Sequence, residues 1–155
     1  MKTIFKSPIG NLLVEESNHS IVRVDLTNLE VTSSEETPLL IKAREELLSY
    51  FEKETSFSFS IQPKATPFQL KVYEATRKIP FGKTASYGEI AAMIGNKNAS
   101  RAVGQALNKN PIMIVIPCHR IIGKNNDLVG FYGGLDLKKR LLDHEKTVLS
   151  KDRIL

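Results

Sequence analysis

The stretch "SYGEIAAMIGNKNASRAVGQALNKN", residues 86–110, decides how the second half of this chain folds. Ser86 with Glu89 three residues later is a capping box, which predicts the start of a short helix, and Gly95 suits that helix's end. A second helix is expected to begin with Asn98 as its cap. Two short helices on either side of a tight turn have the spacing of a helix-turn-helix.

The first part of the chain has a different pattern. "TIFKSPIGNLLVEESNHSIVRVDL", residues 3–26, predicts a meander of three antiparallel strands, because short apolar runs alternate with turn residues. Thr37 as N-cap and Pro38 at the first helical position then predict a helix. The alternating "SFSFSIQ", residues 56–62, could form a further strand. An α/β arrangement follows for this half.

A proline-rich segment near residue 63 indicates a domain boundary, so we expect domains over residues 1–63 and 64–155. After it, Thr66 and Gln69 form a second capping box that opens a helix. "PIMIVIPCHRII", residues 111–122, is a continuous apolar run and is expected to be buried. A last helix is predicted from about Leu135 to Glu145.

Composition narrows the class of protein. The 155 residues include one cysteine and three histidines, so an internal disulfide is excluded and a Cys-rich or His-rich metal site is not expected. The N-terminus has no apolar targeting segment and no run is long enough to span a bilayer, which predicts a cytoplasmic protein with no membrane partner. We expect no cofactor.

Charge is unevenly distributed along the chain. Residues 1–60 hold 6 Lys and Arg against 10 Asp and Glu, whereas residues 61–155 hold 16 against 7. A basic second half suits a polyanion such as nucleic acid, although many proteins are mildly basic for no such reason.

Cys118 lies in "IPCHRIIG", residues 116–123, directly before a histidine. A lone cysteine is often a small core residue with no chemistry. Here His119 could act as a base that ionises the thiol, and Glu145 could orient the histidine, which would make a nucleophilic triad. His144 is the competing partner, and sequence alone does not show which side chains meet.

Several motifs together resemble the O6-alkylguanine-DNA alkyltransferases, also called methylated-DNA–protein-cysteine methyltransferases. The resemblance covers nearly the whole chain, and its Pro-Cys-His-Arg element is very specific. The matching segments are "SPIGNLLV" at 7–14, "TPFQ" at 66–69, "IPFGKTASYGEIA" at 79–91, "RAVGQAL" at 101–107, "NP" at 110–111, "IPCHRIIG" at 116–123 and "GGLDLKKRLLDHE" at 133–145.

The resemblance implies a fold and an activity. The fold is a small ribonuclease H-like α/β domain followed by a mainly helical domain with a winged helix-turn-helix. The activity is repair of O6-methylguanine and O4-methylthymine by transfer of the alkyl group to Cys118, once per molecule and without cofactor or metal. The partner is double-stranded DNA, entered from the minor groove by a monomeric protein, with the damaged base flipped out of the stack.

The resemblance also assigns residue roles. His119 and Glu145, with a bridging water, would generate the Cys118 thiolate. Tyr87 would rotate a phosphate and donate a proton to the leaving guanine, and Asn110 would hydrogen-bond near the thiolate. Arg101 would fill the gap that the flipped base leaves in the stack. Four further residues would contact DNA along the groove: Ala99, Ser100, Leu107 and Asn108.

Some positions depart from the family pattern. Tyr132 stands in a loop expected to line the guanine pocket, where it could narrow the pocket for large alkyl groups or point outward. Asn126 replaces a common glycine, Asn108 replaces a small or basic residue, and Tyr73 replaces a commoner tryptophan.

Three rival functions remain at this point. A non-catalytic sensor of alkylated guanine would share the fold but would lack the cysteine. A cysteine hydrolase would turn over and would have no use for a helix-turn-helix. A plain DNA-binding regulator would not need Cys118 and His119 beside a buried apolar run.

Overall fold

The computed structural model describes residues 1–33, 36–123 and 134–154, with side chains through residue 151. Contacts between residues divide the chain into two units. The first comprises Met1–Lys64 together with Pro111–Met113, and the second comprises Ala65–Asn110 and Ile114–Leu155. A small sheet unit followed by a helical unit agrees with the α/β class expected from the sequence.

The first unit is built on the predicted meander. Strands β1 (Lys2–Ser7), β2 (Gly10–Ser17) and β3 (Ser20–Leu26) pair antiparallel in the order β1-β2-β3. Helix α1 (Pro38–Tyr50) follows, and the Thr37 side chain accepts a hydrogen bond from the Leu40 amide at 3.1 Å, as the sequence predicted. Apolar side chains of both sheet and helix form this unit's core, including Leu12, Val14, Ile21, Leu40 and Leu47, which are at most 1% exposed.

The further strand suggested for residues 56–62 does not form. Only Ile61 pairs there, beside Ile21 of β3. Phe57 and Phe59 instead pack against each other near the end of α1, with their ring centroids 5.8 Å apart and the ring planes tilted by 57°. The alternation of serine and phenylalanine therefore reflects ring packing on one side, without a partner strand along the whole segment.

The second unit holds the helix-turn-helix. Helix α2 (Pro67–Arg77) begins with the Thr66–Gln69 capping box, and α3 (Tyr87–Met93) begins with the Ser86–Glu89 capping box, both as predicted. The turn after α3 passes through Gly95 at φ +80°, the left-handed conformation that favours glycine.

Helix α4 (Ser100–Asn108) completes this pair, and its predicted start was wrong by one residue. Its N-cap is Ala99, whose side chain makes no capping hydrogen bond. Asn98 lies one position too early because the preceding turn is closed by the Asn96 side chain, which accepts from the Asn98 amide at 3.3 Å.

The apolar run before the cysteine is buried but is not a regular strand. Ile114 has φ +72°, which is rare for a β-branched residue and turns the chain sharply. Cys118–Arg120 then form one turn of 3₁₀ helix, and the two-residue strand β5 (Ile121–Ile122) pairs in parallel with β4 (Ala85–Ser86). This pairing places the cysteine turn beside the start of α3.

Helix α5 (Leu135–Ile154) is longer than the predicted 135–145. No glycine or proline follows Glu145, so nothing in the sequence stops the helix there. Leu141, Leu142 and Val148 bury its inner face, whereas Leu137 is only half-buried. Of the helices that the structure describes, none is long and apolar enough to cross a membrane.

Candidate active site around Cys118

The thiol of Cys118 lies inside the second unit, at the start of the 3₁₀ turn. The residue is 6% exposed. Asn110, just after α4, donates from its side-chain nitrogen to Cys118 Sγ at 3.2 Å and to the Ile116 carbonyl at 2.9 Å. The same carbonyl accepts from the Cys118 amide at 2.8 Å. One asparagine thus holds both the sulfur and the backbone that presents it.

His119 and Glu145 form a buried hydrogen bond beside the thiol. His119 Nε2 and Glu145 Oε2 are 2.5 Å apart, and both side chains have no exposed surface. Because a carboxylate can only accept, Nε2 carries the proton, so in the neutral ring Nδ1 has the lone pair. Burial lowers the pKa of His119, against the opposing effect of Glu145, which favours this neutral form at pH 7.

Two residues besides His119 hold the Glu145 carboxylate, through three hydrogen bonds. Arg120 binds both oxygens, Nε to Oε1 at 2.9 Å and Nη2 to Oε2 at 3.2 Å, and the Gly82 amide donates to Oε1 at 2.9 Å. Despite burial, which raises it, the pKa of Glu145 falls to about 2 because hydrogen bonds and charge from His119 and Arg120 outweigh that penalty. The carboxylate is therefore ionised and fixed.

Arg120 is itself anchored to the segment between α2 and β4. Its Nη1 donates to the Ile79 carbonyl at 2.8 Å, and its guanidinium lies 5.6 Å from the centre of the Phe81 ring. The residue is 7% exposed. These contacts join the cysteine turn to a neighbouring loop and to α5 through one side chain.

The electrostatic balance at Cys118 has two sides. Burial raises the pKa of the thiol, since a thiolate loses water solvation in the interior. The Asn110 hydrogen bond, the charge of Lys138 and the amides of Cys118 and His119 lower it. The Cys118 thiol is therefore protonated in the resting protein, and the groups that stabilise the thiolate already lie beside it.

Tyr87 and Lys138 form the other wall of this site. Tyr87 is the first residue of α3, is half-buried, and has its ring beside Gly104 of α4. The Lys138 ammonium lies 5.9 Å from the centre of that ring. Burial, and then the nearby Cys118, raise the pKa of Tyr87, so the phenol stays neutral and able to donate a proton.

Five of the residues expected to contact DNA lie in α4 or at its N-cap, and they divide into two groups by exposure. Arg101 and Asn108 are exposed and Ser100 is half-buried, so their side chains are available to a partner. Ala99 and Leu107 are 8% and 3% exposed. Their burial favours packing between helices over direct contact with a groove, and their place in an interface stays a prediction.

Two family models match this chain. The 6-O-methylguanine DNA methyltransferase DNA-binding domain matches residues 67–147, and the ribonuclease-like domain of the same family matches residues 1–63. The chain belongs to the 6-O-methylguanine DNA methyltransferase family.

Several proteins similar in sequence or structure to this chain are named as methyltransferases of this family. The methylated-DNA–protein-cysteine methyltransferase of Methanosarcina acetivorans is 44% identical over 149 residues, covering 92% of this chain and 96% of the relative. The constitutive enzyme of Bacillus subtilis is 39% identical, covering 93% and 94%. The crystal structure of Mycobacterium tuberculosis OGT in complex with DNA has a TM-score of 0.84 at 39% identity, covering 95% of this chain and 93% of that one.

The family resemblance stated from the sequence is thus confirmed, and the structure brings most of the expected residues together. Cys118 bonds to Asn110 and the next residue, His119, bonds to Glu145, so two buried hydrogen bonds lie on consecutive residues of the 3₁₀ turn. Tyr87 lies near Lys138, whose ammonium is 5.9 Å from the centre of its ring. His144, the competing partner for His119, instead has its ring 6.4 Å from Phe81.

Sequence reasoning gave no site role to two buried residues that interact electrostatically with Cys118. Lys138 was not singled out, although it is 1% exposed and its charge reaches Cys118. Tyr73, read only as a packing residue, donates to the Ala106 carbonyl of α4 at 2.7 Å, and its pKa rises to about 12 through burial and then the nearby Cys118. Tyr132 and Asn126 lie outside the described residues.

Proposed function

We propose that this protein repairs DNA by direct transfer of the methyl group of O6-methylguanine to Cys118. The observation that carries the proposal is that Cys118 is the only cysteine, is buried and bonded to Asn110, and directly precedes His119, which is bonded to Glu145. Relatives at about two-fifths identity are named protein-cysteine methyltransferases. A transferase of that kind needs a cysteine acceptor, and Cys118 is the only cysteine in this sequence.

The first chemical step ionises the thiol. His119 Nδ1 takes the Cys118 proton, directly or through a water, while Nε2 donates to the fixed Glu145 carboxylate. The imidazolium that forms is stabilised by that carboxylate. Asn110 donates to the sulfur and holds it in place as the charge appears.

The second step is an in-line attack of sulfur on the methyl carbon. The new S–C bond forms as the O6–C bond breaks, and the electron pair of the broken bond passes to the guanine. Tyr87 gives its phenolic proton to the departing base, which neutralises the developing anion. The product is S-methylcysteine, a thioether that water does not cleave, so each molecule acts once.

A buried thiol cannot reach a base that remains stacked in a duplex. Because Cys118 is 6% exposed, the damaged nucleotide must be flipped out of the helix. Helix α4 enters the minor groove in this proposal, and the exposed Arg101 fills the space that the base leaves. Ser100 and Asn108, on the same helix, contact the strand beside it, and Tyr87 turns the phosphate.

Several further expectations belong to the same proposal. Residues 64–155 form the DNA-binding and transfer domain, and residues 1–63 form an α/β domain that supports it. The protein acts as a cytoplasmic monomer, needs no cofactor, and accepts O4-methylthymine as a second substrate because that base carries its methyl on an equivalent exocyclic oxygen. Double-stranded DNA is the partner.

The remaining alternative is a sensor that binds alkylated guanine without reacting. Duplexes with and without one O6-methylguanine separate the two functions. We expect the parent protein to convert the modified base to guanine, measured by the mass of the recovered strand. Cys118→Ala should bind the same duplex and leave its mass unchanged, and so serves as the control.

The outcomes of this experiment are distinct. Loss of one CH2 from the DNA with the parent protein, and none with Cys118→Ala, supports transfer. Tight binding by both proteins with no change in the DNA mass would replace the proposal by the sensor function.

A further inference from the structure

Helix α4 presents one narrow exposed strip. Its exposed residues are Arg101, Gln105 and Asn108, whereas Val103 and Leu107 on its other side are buried. A helix has 3.6 residues per turn, so positions three or four residues apart lie above one another, and these three residues fall within an arc of about 60°. The exposed strip of α4 is therefore a single row of three side chains.

The charge around this strip suits a polyanion. Residues 90–126 contain no Asp or Glu, and the exposed Lys97 and Lys109 lie near the two ends of α4. Because a DNA duplex presents closely spaced phosphates, it is the occupant that this positively charged surface fits best. Gln105 and Asn108 are neutral, so they add hydrogen bonding to such a contact and not charge.

The carboxamide of Gln105 has the chemistry to distinguish base pairs. It offers two N–H donors and an acceptor oxygen, and it makes no hydrogen bond with any residue that the structure describes. In the minor groove every base pair presents acceptors, whereas only a G·C pair also presents a donor, the guanine 2-amino group. The carboxamide therefore has partners for both its nitrogen and its oxygen only at a G·C pair.

The distance from Arg101 limits which base pairs Gln105 reaches. Four residues along a helix span about 6 Å, less than the rise of two base pairs at about 3.4 Å each. With Arg101 in the gap left by the flipped base, Gln105 lies within two steps of the damaged guanine. Asn108 is about 10 Å from Arg101 along the helix, and its side chain is one methylene shorter. Gln105 is thus the better placed of the two amides to contact the nearest base pairs.

We propose that Gln105 selects the sequence context of repair, by hydrogen-bonding the minor-groove edge of a base pair within two steps of the damaged guanine and favouring G·C there. This inference rests on the proposed function, because it takes α4 into the minor groove with Arg101 in the gap. The extra hydrogen bond to the guanine 2-amino group should give a preference of about two- to tenfold.

Competition between two modified duplexes tests this selection. Both carry one O6-methylguanine flanked by G·C pairs, and in one of them a flanking guanine is replaced by hypoxanthine, which pairs with cytosine but lacks the 2-amino group. Each of the two nearest positions on either side is replaced in turn. With limiting protein that reacts once, the ratio of the two repaired strands, measured by mass, gives the preference.

The comparison that decides is between the parent and Gln105→Leu, which keeps a side chain of similar size and removes both amide functions. At one position at least, the parent's ratio of guanine to hypoxanthine duplex repaired should exceed that of Gln105→Leu by about two- to tenfold. Diaminopurine in place of a flanking adenine adds the 2-amino group to an A·T pair, and should raise repair by the parent more than repair by Gln105→Leu.

Two variants serve as controls. Gln62→Leu changes an exposed glutamine of the first unit, and its ratios should equal the parent's. Asn108→Ala removes the other amide of the exposed strip and should keep the parent's preference at the position where Gln105→Leu loses it. Equal thermal midpoints establish that the variants are folded, and Gln105→Ala repeats the test with a second side chain.

Three results would overturn the inference. The first is a folded Gln105→Leu protein whose ratios coincide with the parent's at every position. The second is loss of the preference in Asn108→Ala and not in Gln105→Leu. The third is failure of both Gln105 variants to fold, which would make Gln105 a structural residue.

Failure of the proposed function has a different signature. A parent protein that repairs none of the duplexes would reject methyl transfer and leave the context selection open to the same comparison by binding. Fluorescence anisotropy with the same duplexes then gives the ratio of affinities, and a ratio unchanged by Gln105→Leu would reject the inference as well.

Discussion

The thiol of Cys118 combines burial with stabilisation of its ionised form. Cys118, His119 and Glu145 could be chosen from the sequence, because a cysteine next to a histidine suggests a nucleophile and its base. The contact between His119 and Glu145 could not be predicted from the sequence, because Glu145 lies on a helix whose packing the sequence does not give. Lys138 was missed for the same reason: lysines are usually exposed, and only the packing of α5 buries this one.

Asn110→Ala should slow methyl transfer about tenfold at pH 7, because loss of the hydrogen bond to Cys118 Sγ removes one of the contacts that favour the thiolate. The free energy of unfolding should also fall by about 1–3 kcal/mol, since the buried Ile116 carbonyl loses a donor. Single-turnover kinetics and urea unfolding measure the two effects.

The control for this change is Asn11→Ala, which removes a similar amide-to-carbonyl bond, 3.0 Å long, at a half-buried position of β2. Its transfer rate should match the parent's. Equal transfer rates for Asn110→Ala and the parent would show that the asparagine does not support the thiolate.

Glu145 should make the fold sensitive to acid. Its pKa is about 2 in the folded protein and about 4.3 in an unfolded chain, so its contribution to stability is fully present above pH 5 and is lost as pH falls toward 2. Glu145→Gln should unfold roughly 3 kcal/mol more easily than the parent at neutral pH. The difference should shrink as the solution is acidified.

Urea unfolding between pH 2 and pH 7 checks this pH dependence, with the exposed Glu52→Gln as the control. The lowered pKa of His119 acts in the same direction, because burial disfavours the protonated ring in the folded protein, so acidification below about pH 6.5 favours unfolding. A stability difference for Glu145→Gln that stayed constant with pH would contradict the account of this carboxylate.

At the scale of elements, two capping boxes and the Thr37 cap predicted helix starts correctly, whereas the single cap predicted at Asn98 was wrong by one residue. Both capping boxes and the Thr37 cap formed because they depend on residues three or four positions apart. The end of α5 and the shape of the run before Cys118 depend on distant packing. Ile114 at φ +72° is an example, since no local signal predicts a left-handed isoleucine.

Gly82 should tolerate alanine worse than Gly95 does. Both have φ +80°, so each substitution strains the backbone by about 1–2 kcal/mol. A Cβ at Gly82 would also lie 2.1 Å from Leu149 Cδ1, whereas a Cβ at Gly95 meets nothing within 4 Å. We expect Gly82→Ala to lose about 1–3 kcal/mol more, the usual cost of overpacking.

Thermal and urea unfolding of the two variants measure this difference, and Gly95→Ala is the control for backbone strain alone. Equal losses of stability for the two variants would mean that Leu149 moves aside at no cost.

For the whole molecule, the sequence was sufficient for the class of fold and for the family, because the motifs are spread along nearly the whole chain. The charge asymmetry was also visible, with the acidic balance in residues 1–60 and the basic balance in the rest. The exact extent of each unit could not be predicted from the sequence, because residues 111–113 group with the first unit through the pairing of Ile112 with Val24.

DNA binding should weaken steeply with salt, because basic side chains release counterions from the phosphates. Arg101→Ala should bind a duplex with one O6-methylguanine about tenfold more weakly than the parent, having lost a charge and the side chain that fills the stack. Lys53→Ala removes a charge from the acidic portion of the chain and should bind normally. Fluorescence anisotropy at several salt concentrations measures these affinities, and an affinity independent of salt would argue against the proposed interface.

The central claim is that Cys118 accepts one methyl group and keeps it. The most direct measurement is the intact mass of the protein after incubation with excess duplex carrying O6-methylguanine, followed by mapping of the modified peptide. The account predicts a gain of one CH2 per chain that does not increase with more DNA and lies on the peptide holding Cys118. Continued loss of methyl groups from the DNA with no gain in protein mass, or a gain on any other peptide, would contradict it.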